Sequence, residues 1–333
     1  MNWFSKKSIP ISYGFDSVAI VQKKNVLKSR LDANIKSEVV RGIYLDVPII
    51  AANMSTVVNS NFCLLLEKLG ALGVMHRADN EDVIIEAVKH ISEYSSGRTA
   101  ASVGIADGQW EFCSKLIHNG ANIIFIDIAH GYSDYVLDWG RKIKKEFGVK
   151  VVVGNTTNVE MLKEASDFAD AIKIGIAQGF SCETKNTAGC TERQFSAVLK
   201  FKDLSKKYGI PIISDGGIRE PADFTKSIAA GANSIMAGKI FAECPESAAE
   251  VVVVNDVRKK LYAGMASEYV QNMWRGGVKE GTCTEGGVRY LDIGIGVKQL
   301  LERYSGALKS GISYSGAFDI KSFQKNVDFV RLV

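Results

Sequence analysis

What this 333-residue chain lacks narrows it first. No apolar run approaches the roughly 20 residues that a membrane span needs, and the start Met1-Asn2-Trp3-Phe4-Ser5-Lys6-Lys7 leads into no apolar signal core. The chain therefore reads as a cytoplasmic protein with no membrane partner. Cys63, Cys113, Cys182, Cys190, Cys244 and Cys283 include no C-x-x-C pair and have no histidines at metal-ligand spacing. A chain of this length does not need disulfides to stabilise its core, so a reducing compartment is the simpler account. Charge of one sign is lacking too: 41 Lys+Arg stand against 37 Asp+Glu, the net charge is +4, and the basic residues are scattered. That argues against a nucleic-acid partner. No Gly-x-Gly-x-x-Gly follows the first strand-like run, and there is no low-complexity tract.

What is present has a rhythm. After an N-terminal arm through Arg41 with no clear periodicity, short apolar or β-branched runs recur, each followed by a polar or glycine stop and a longer segment with helical spacing. The eight runs are 47–52, 71–75, 100–103, 123–126, 151–153, 171–174, 211–214 and 234–237. Strands without polar alternation are covered on both faces, as in parallel sheets. Phe62-Leu65-Leu66-Leu69 and Val83-Ala87-Val88-Ile91 each place apolar groups on one helix face. Eight successive β–α units predict an α/β fold, a (β/α)₈ TIM barrel in one domain spanning 1–333, against the alternative of a doubly wound sheet with an extra lobe. The glycine-rich stretch from Arg275 to Gly287 reads as a C-terminal lid.

Barrel active sites lie at the C-terminal ends of the strands, so the residues after each run are the candidates. The sixth of these loops, from Gly175 to about Thr191, is the longest and holds Cys182. A cysteine alone is more often a small buried hydrophobe, as Cys63 and Cys113 on apolar helix faces appear in the pattern. Cys182 sits instead in polar surroundings, where backbone N–H groups near Gly179 and the charge of Lys185 favour a nucleophilic thiolate. Asp215-Gly216-Gly217 and Gly238, after the seventh and eighth runs, fall at the usual phosphate-binding corner. A tight turn is the plainer alternative. Asp127 ends its strand as the only charge there and suits a cofactor edge or a loop cap, and Asn155 and His130 are equally ambiguous.

Taken together, Pro48-Ile49-Ile50-Ala51-Ala52-Asn53-Met54, Asp127-Ile128-Ala129-His130-Gly131-Tyr132-Ser133, Gly154-Asn155, Gly175 through Thr184, Ile213-Ser214-Asp215-Gly216-Gly217 and Gly264-Met265-Ala266-Ser267-Glu268 resemble the IMP dehydrogenase/GMP reductase family. The likeness runs in order along nearly the whole chain and is strongest to the reductase side. It implies NADPH-dependent conversion of GMP to IMP with loss of ammonia, by a homotetramer. Cys182 would attack C2 of the purine, with Thr184 and a lid glutamate, placed at Glu280 with Glu285 as the fallback, handling protons. The resemblance puts the nucleotide on Ser181, Asp215, Gly216, Gly217, Gly238, Lys239, Gly264, Met265, Ala266 and Gly281. It puts the cofactor on Ser29 and Arg30, reaching a neighbouring subunit, with Arg77, Asp127, Ile128, Ala129, Met265 and Ser313. Arg77 is the natural partner of a 2′-phosphate.

Two features set the chain apart from the dehydrogenases it resembles. Only Asn80 to Gly97 fills the place of their regulatory insert, and Arg289-Tyr290 follows the lid glutamate rather than preceding it. The chain also departs from its relatives. Their Gly-Ile-Gly-Pro-Gly-Ser reads Gly175-Ile176-Ala177-Gln178-Gly179-Phe180 here, without the phosphate-contacting serine. Many relatives bind a monovalent cation on carbonyls that correspond to Ala177, Gly179 and Cys182, and alanine in place of glycine leaves potassium open. Lys239 replaces a small residue and offers a direct charge, and Gly277-Val278-Lys279 replaces the usual Arg-Ala-Ser. These changes raise three alternatives: a reductase for a variant or deoxy purine nucleotide, a dehydrogenase without its insert, and a catalytically silent nucleotide-binding barrel.

Overall fold

The computed structural model describes residues 9–332. Strand β1 (Val18–Ile20) is followed by an antiparallel hairpin of β2 (Ser37–Val40) and β3 (Ile43–Leu45). Eight parallel strands then close a barrel in chain order: β4 (Ile49–Ala51), β5 (Leu72–Met75), β6 (Ala100–Val103), β7 (Ile123–Asp127), β8 (Lys150–Thr156), β9 (Ala171–Ile174), β10 (Ile212–Asp215) and β11 (Ser234–Ala237). Each falls on one of the eight apolar runs; β7 and β10 end one residue past theirs, at Asp127 and Asp215, and β8 extends its run at both ends. The (β/α)₈ barrel expected from the rhythm is the observed architecture.

Why these runs make strands shows in their packing. Neighbouring residues on a strand point to opposite faces. Ile50, Val74, Phe125, Val152, Ile213 and Met236 cluster together, whereas Ile49, Met75, Ile126, Val153, Ile212 and Ile235 belong to a second cluster that includes helix residues. Val39, Val40 and Leu45 join the first cluster. The arm is therefore not irregular throughout: its hairpin packs into the same apolar interior. The N-terminal sequence hides this because two short strands leave too few residues for a period to show.

The connecting helices are α1 (Ser60–Lys68), α2 (Glu81–Tyr94), α3 (Gln109–His118), α4 (Asp134–Phe147), α5 (Glu160–Glu164), α6 (Thr184–Thr187), α7 (Gln194–Tyr208), α8 (Pro221–Ala230) and α9 (Lys239–Ala242). The Asn59 side chain accepts from the Phe62 N–H at 2.9 Å and starts α1, whose Phe62, Cys63 and Leu66 face inward. Gly73 on β5 permits that contact, since a Cβ there would lie 2.6 Å from the Cys63 sulfur.

Beyond the barrel, β12 (Val251–Val254), β13 (Val257–Ala263) and β14 (Val288–Asp292) form an antiparallel sheet. Between its last two strands lie α10 (Glu268–Arg275) and the glycine-rich segment. Helix α11 (Val297–Tyr314) packs against α8, α12 (Ile320–Asn326) follows, and β15 (Phe329–Arg331) pairs with β1. Among the described residues no helix is long and apolar enough to cross a membrane.

Candidate active site

A cavity of about 390 Å³ opens at the C-terminal ends of the barrel strands. Its floor is ionic. Lys173 on β9 is 3% exposed, and its Nζ lies 2.7 Å from Asp127 Oδ1 and 2.5 Å from Asp215 Oδ2. Asn53 donates to Asp127 Oδ2 at 2.9 Å, and Asn155 donates to Asp215 Oδ2 at 2.9 Å and to the Gly175 carbonyl at 2.8 Å. Arg77 donates to the Asp127 carbonyl at 2.9 Å. Burial alone would raise the Asp127 pKa, but Lys173, Arg77 and the hydrogen bonds from Lys173 and Asn53 hold it down to about 2. Burial would likewise lower the Lys173 pKa, and the two aspartates raise it instead. Both aspartates point into the cavity as expected. Lys173 went unnoticed in an apolar run, although a lysine inside such a run must find a partner when buried.

The roof is built from two distant segments. Cys182 lies 3.3 Å (Sγ) from Thr184 Oγ1, and Thr184 donates to Glu285 Oε2 at 2.7 Å. A threonine hydroxyl carries one proton. With that proton directed at Glu285, the Cys182 thiol donates to Thr184, and the three groups form a chain running from sulfur to carboxylate. Backbone bonds hold it: the Glu183 N–H donates to the Glu285 carbonyl at 2.8 Å, and the Gly287 N–H to the Ser181 carbonyl at 2.7 Å. Gly286 bridges both Cys182 and Ser267, and a Cβ on it would lie 2.7 Å from the Ser267 nitrogen. Arg289 on β14 forms an ion pair with Glu183. That gives Arg289 a structural task.

This register sets Glu285, and not the expected Glu280, beside Thr184. Glu280 and Gly281 are exposed and do not line the cavity, whereas Glu285 does. Pairing of Ala263 with Val288 between β13 and β14, together with the Gly286 bridges, fixes which residue meets Thr184. Lys185 is also exposed and off the cavity wall. Cys63 and Cys113 are buried as expected, and burial pushes their thiols up to about 12.

At the expected phosphate corner, Gly216 and Gly217 have φ of 91° and 78°, a region that favours glycine. Their N–H groups are already used, donating to the Met236 carbonyl at 3.3 Å and the Gln178 carbonyl at 2.9 Å. Lys239 lines the cavity with its Nζ 2.6 Å from Glu243 Oε1 and 5.4 Å above the Phe180 ring. Ser181 is buried in the cavity wall, and Gly238, Gly264, Met265 and Ala266 line it. Sequence reading missed Tyr262, whose buried hydroxyl packs so close to Gly238 that a Cβ there would lie 2.5 Å away. It also missed Arg219, which lines the same corner.

Of the residues assigned to a dinucleotide, Arg77, Asp127, Ala129 and Met265 line the cavity; Ile128 does not. Trp274, unforeseen, adds an aromatic wall with Arg275 4.0 Å and Arg77 5.5 Å from its ring centre. The Arg77 Nε is buried without a partner, an orphan donor that fits an anionic or carbonyl-bearing ligand. Ser29, Arg30 and Ser313 stand elsewhere. Ser29 caps the turn Arg30–Asp32, Arg30 reaches toward Ser310, and Ser313 donates to Asn25 at 3.2 Å. None of the three lines this chain's cavity.

In the loop expected to hold a cation, the Gly179 carbonyl accepts the Cys182 N–H at 3.1 Å and keeps its second lone pair. Thr191 donates to the Ile176 carbonyl at 3.1 Å, and Gln178 to Thr191 at 2.7 Å, so side chains tie the loop together. Among the described residues no cluster of His, Cys, Asp or Glu side chains adds ligands, so a cation here would rest on backbone carbonyls.

Against this geometry, the sequence matches the model of the IMP dehydrogenase / GMP reductase domain over residues 12–333. The chain belongs to the IMP dehydrogenase/GMP reductase family. As a member of that family it is an oxidoreductase. It is similar to a GMP reductase of Onchocerca volvulus, 30% identical over 328 residues that cover 96% of this chain and 90% of the relative. It is also similar to the GMP reductase of Klebsiella pneumoniae, 30% identical with 97% and 95% covered, and to that of Ascaris suum, 28% identical with 96% and 92% covered.

Proposed function

We propose that the chain catalyses reductive deamination of GMP by NADPH, giving IMP, ammonia and NADP⁺. The observation that carries this reading is the Cys182–Thr184–Glu285 chain facing a cavity that also holds Asp215. An amino group on a purine leaves poorly, so C2 must first become tetrahedral and the nitrogen must gain a proton. Cys182 forms the bond to C2 as its proton passes through Thr184 to Glu285. Glu285 then returns that proton, through Thr184, to the departing nitrogen as the C2–N bond breaks. NADPH, when bound, would supply a hydride to C2, and the Cys182 sulfur then leaves as a thiolate that regains a proton from solvent.

The remaining residues bind and orient. Asp215 receives the ribose hydroxyls, and Ser181, Gly238, Lys239 and Tyr262 meet the phosphate. Arg77, Asp127, Ala129, Met265 and Trp274 hold the dinucleotide, with Arg77 the donor for its 2′-phosphate. Ser29, Arg30 and Ser313, away from this cavity, serve a neighbouring subunit in a homotetramer. The protein works in the cytoplasm as one barrel domain.

NADPH deuterated at the transferred position tests the reading. IMP should carry the label at C2 with one ammonia released per turnover, and unlabelled IMP or no ammonia removes the proposal. Phe180 at the phosphate end and the occupied Gly216 and Gly217 amides favour a second reading, a variant purine nucleotide. A kcat/KM for dGMP well above that for GMP selects it, and turnover of GMP with none of dGMP removes it.

A further inference from the structure

Lys173 has no part in the chemistry above, yet the floor of the cavity is arranged around it. A buried ammonium costs several kcal/mol unless it is well paired. Lys173 is paired twice, with carboxylates at the ends of two different strands, Asp127 on β7 and Asp215 on β10. These aspartates face different parts of the cavity. Asp127 stands beside Arg77, on the side assigned to the dinucleotide, and Asp215 stands beside Gly216 and Gly217, on the side assigned to the nucleotide. The other groups around the cluster are the neutral amides of Asn53 and Asn155, the Arg77 guanidinium on the Asp127 carbonyl, and the buried Tyr262 hydroxyl. Among the described residues, Lys173 is the only cation in an ion pair with Asp215.

We propose that Lys173 is a positioning residue: one buried ammonium bridges Asp127 and Asp215 and aims both into the cavity, so that nucleotide and dinucleotide recognition rest on the same charge. The inference rests on the reading of Asp215 as the ribose anchor. Without the ammonium, two carboxylates would face one buried position with nothing between them. Such a pair does not ionise fully, and one proton is retained toward neutral pH. A carboxylate pair that has taken up a proton accepts hydroxyl hydrogen bonds poorly, and nucleotide affinity then falls as pH falls.

Calorimetric titration with GMP alone, without dinucleotide, from about pH 5 to about pH 8, reads this directly. Three proteins are compared: the wild type, Lys173→Met, and Lys173→Met combined with Asp127→Asn. Methionine keeps the length of lysine without its charge, and the second substitution removes the carboxylate that repels Asp215. Wild-type affinity should change with pH only as the GMP phosphate ionises, with its second pKa at about 6. Relative to wild type at the same pH, Lys173→Met should lose up to about tenfold in GMP affinity per unit of pH lost across its titration. The paired variant should recover the wild-type profile and bind GMP within about threefold of wild type.

A purely structural lysine would not be rescued by deleting a carboxylate across the cavity. A Lys173→Met profile parallel to that of the wild type, or a folded paired variant that fails to recover GMP binding, overturns the proposal. If Lys173→Met does not fold, the paired variant, which carries no opposed carboxylates, decides by itself. A wild type that does not bind GMP removes the nucleotide reading and this inference with it, whereas wild-type binding with a parallel Lys173→Met profile removes only the inference.

Discussion

The floor and the roof of the cavity are assembled in different ways. The floor comes from strand ends: Asp127, Lys173 and Asp215 belong to β7, β9 and β10, and parallel pairing through β8 and β9 sets their heights. The roof joins Cys182 and Thr184 to Glu285, 101 residues beyond Thr184, through hydrogen bonds and single bridges. The floor is thus charge-compensated and set by paired strands, and the roof is a pair of loops joined by single bridges over it.

The roof should show the largest effects on turnover. Cys182→Ala should lower kcat by at least about a thousandfold while GMP binding persists, since removing a covalent nucleophile costs far more than removing a contact. Retained turnover would take Cys182 out of the chemistry. Glu285→Gln should cost about a hundredfold or more in kcat, the range of a lost general acid, whereas Glu280→Gln should change it less than about twofold. Rates reversed between these two variants would mean that the lid shifts register when substrate binds.

A buried histidine next to the cavity-lining Arg77 should show in acid stability instead. His76 follows β5, its Nδ1 accepts the Ala78 N–H at 3.2 Å, and burial pushes its pKa down to about 4 despite the opposing charge of Asp79. The unfolded chain, with histidine near about 6.5, binds more protons between those values, so stability rises with pH across that window. Unfolding free energy should therefore fall by about 3 kcal/mol between pH 6.5 and pH 4. His76→Asn should flatten that part of the curve in denaturant titrations. Loss from Asp127 follows only lower, as pH drops below its ordinary value toward about 2.

The smallest effect belongs to the roof's backbone. Ala177 has φ of 60°, a left-handed conformation that costs an alanine about 1 kcal/mol. Ala177→Gly should stabilise the fold by up to about 1 kcal/mol in thermal or chemical unfolding. A clear destabilisation would show that the alanine methyl is held by packing.

The same contrast explains what the sequence made legible. The barrel and the aspartates at strand ends could be read because one strand's residues suffice to show them. Cys182 and Thr184 were readable within one loop. Lys173 was passed over because it looked like part of an apolar run, although a lone lysine there is itself a sign of buried ion pairing. Glu285 lost to Glu280 because two glutamates five residues apart in a glycine-rich segment look alike until strand pairing fixes the register. Tyr262 and Trp274 enter the cavity from outside the eight β–α units, where no barrel rule directs attention.

The central claim is tested most directly by following cofactor absorbance in two parallel mixtures, GMP with NADPH and IMP with NAD⁺. The account predicts loss of NADPH with stoichiometric ammonia in the first and no change in the second. NADH appearing in the second mixture, or NADPH unchanged in the first, would contradict it.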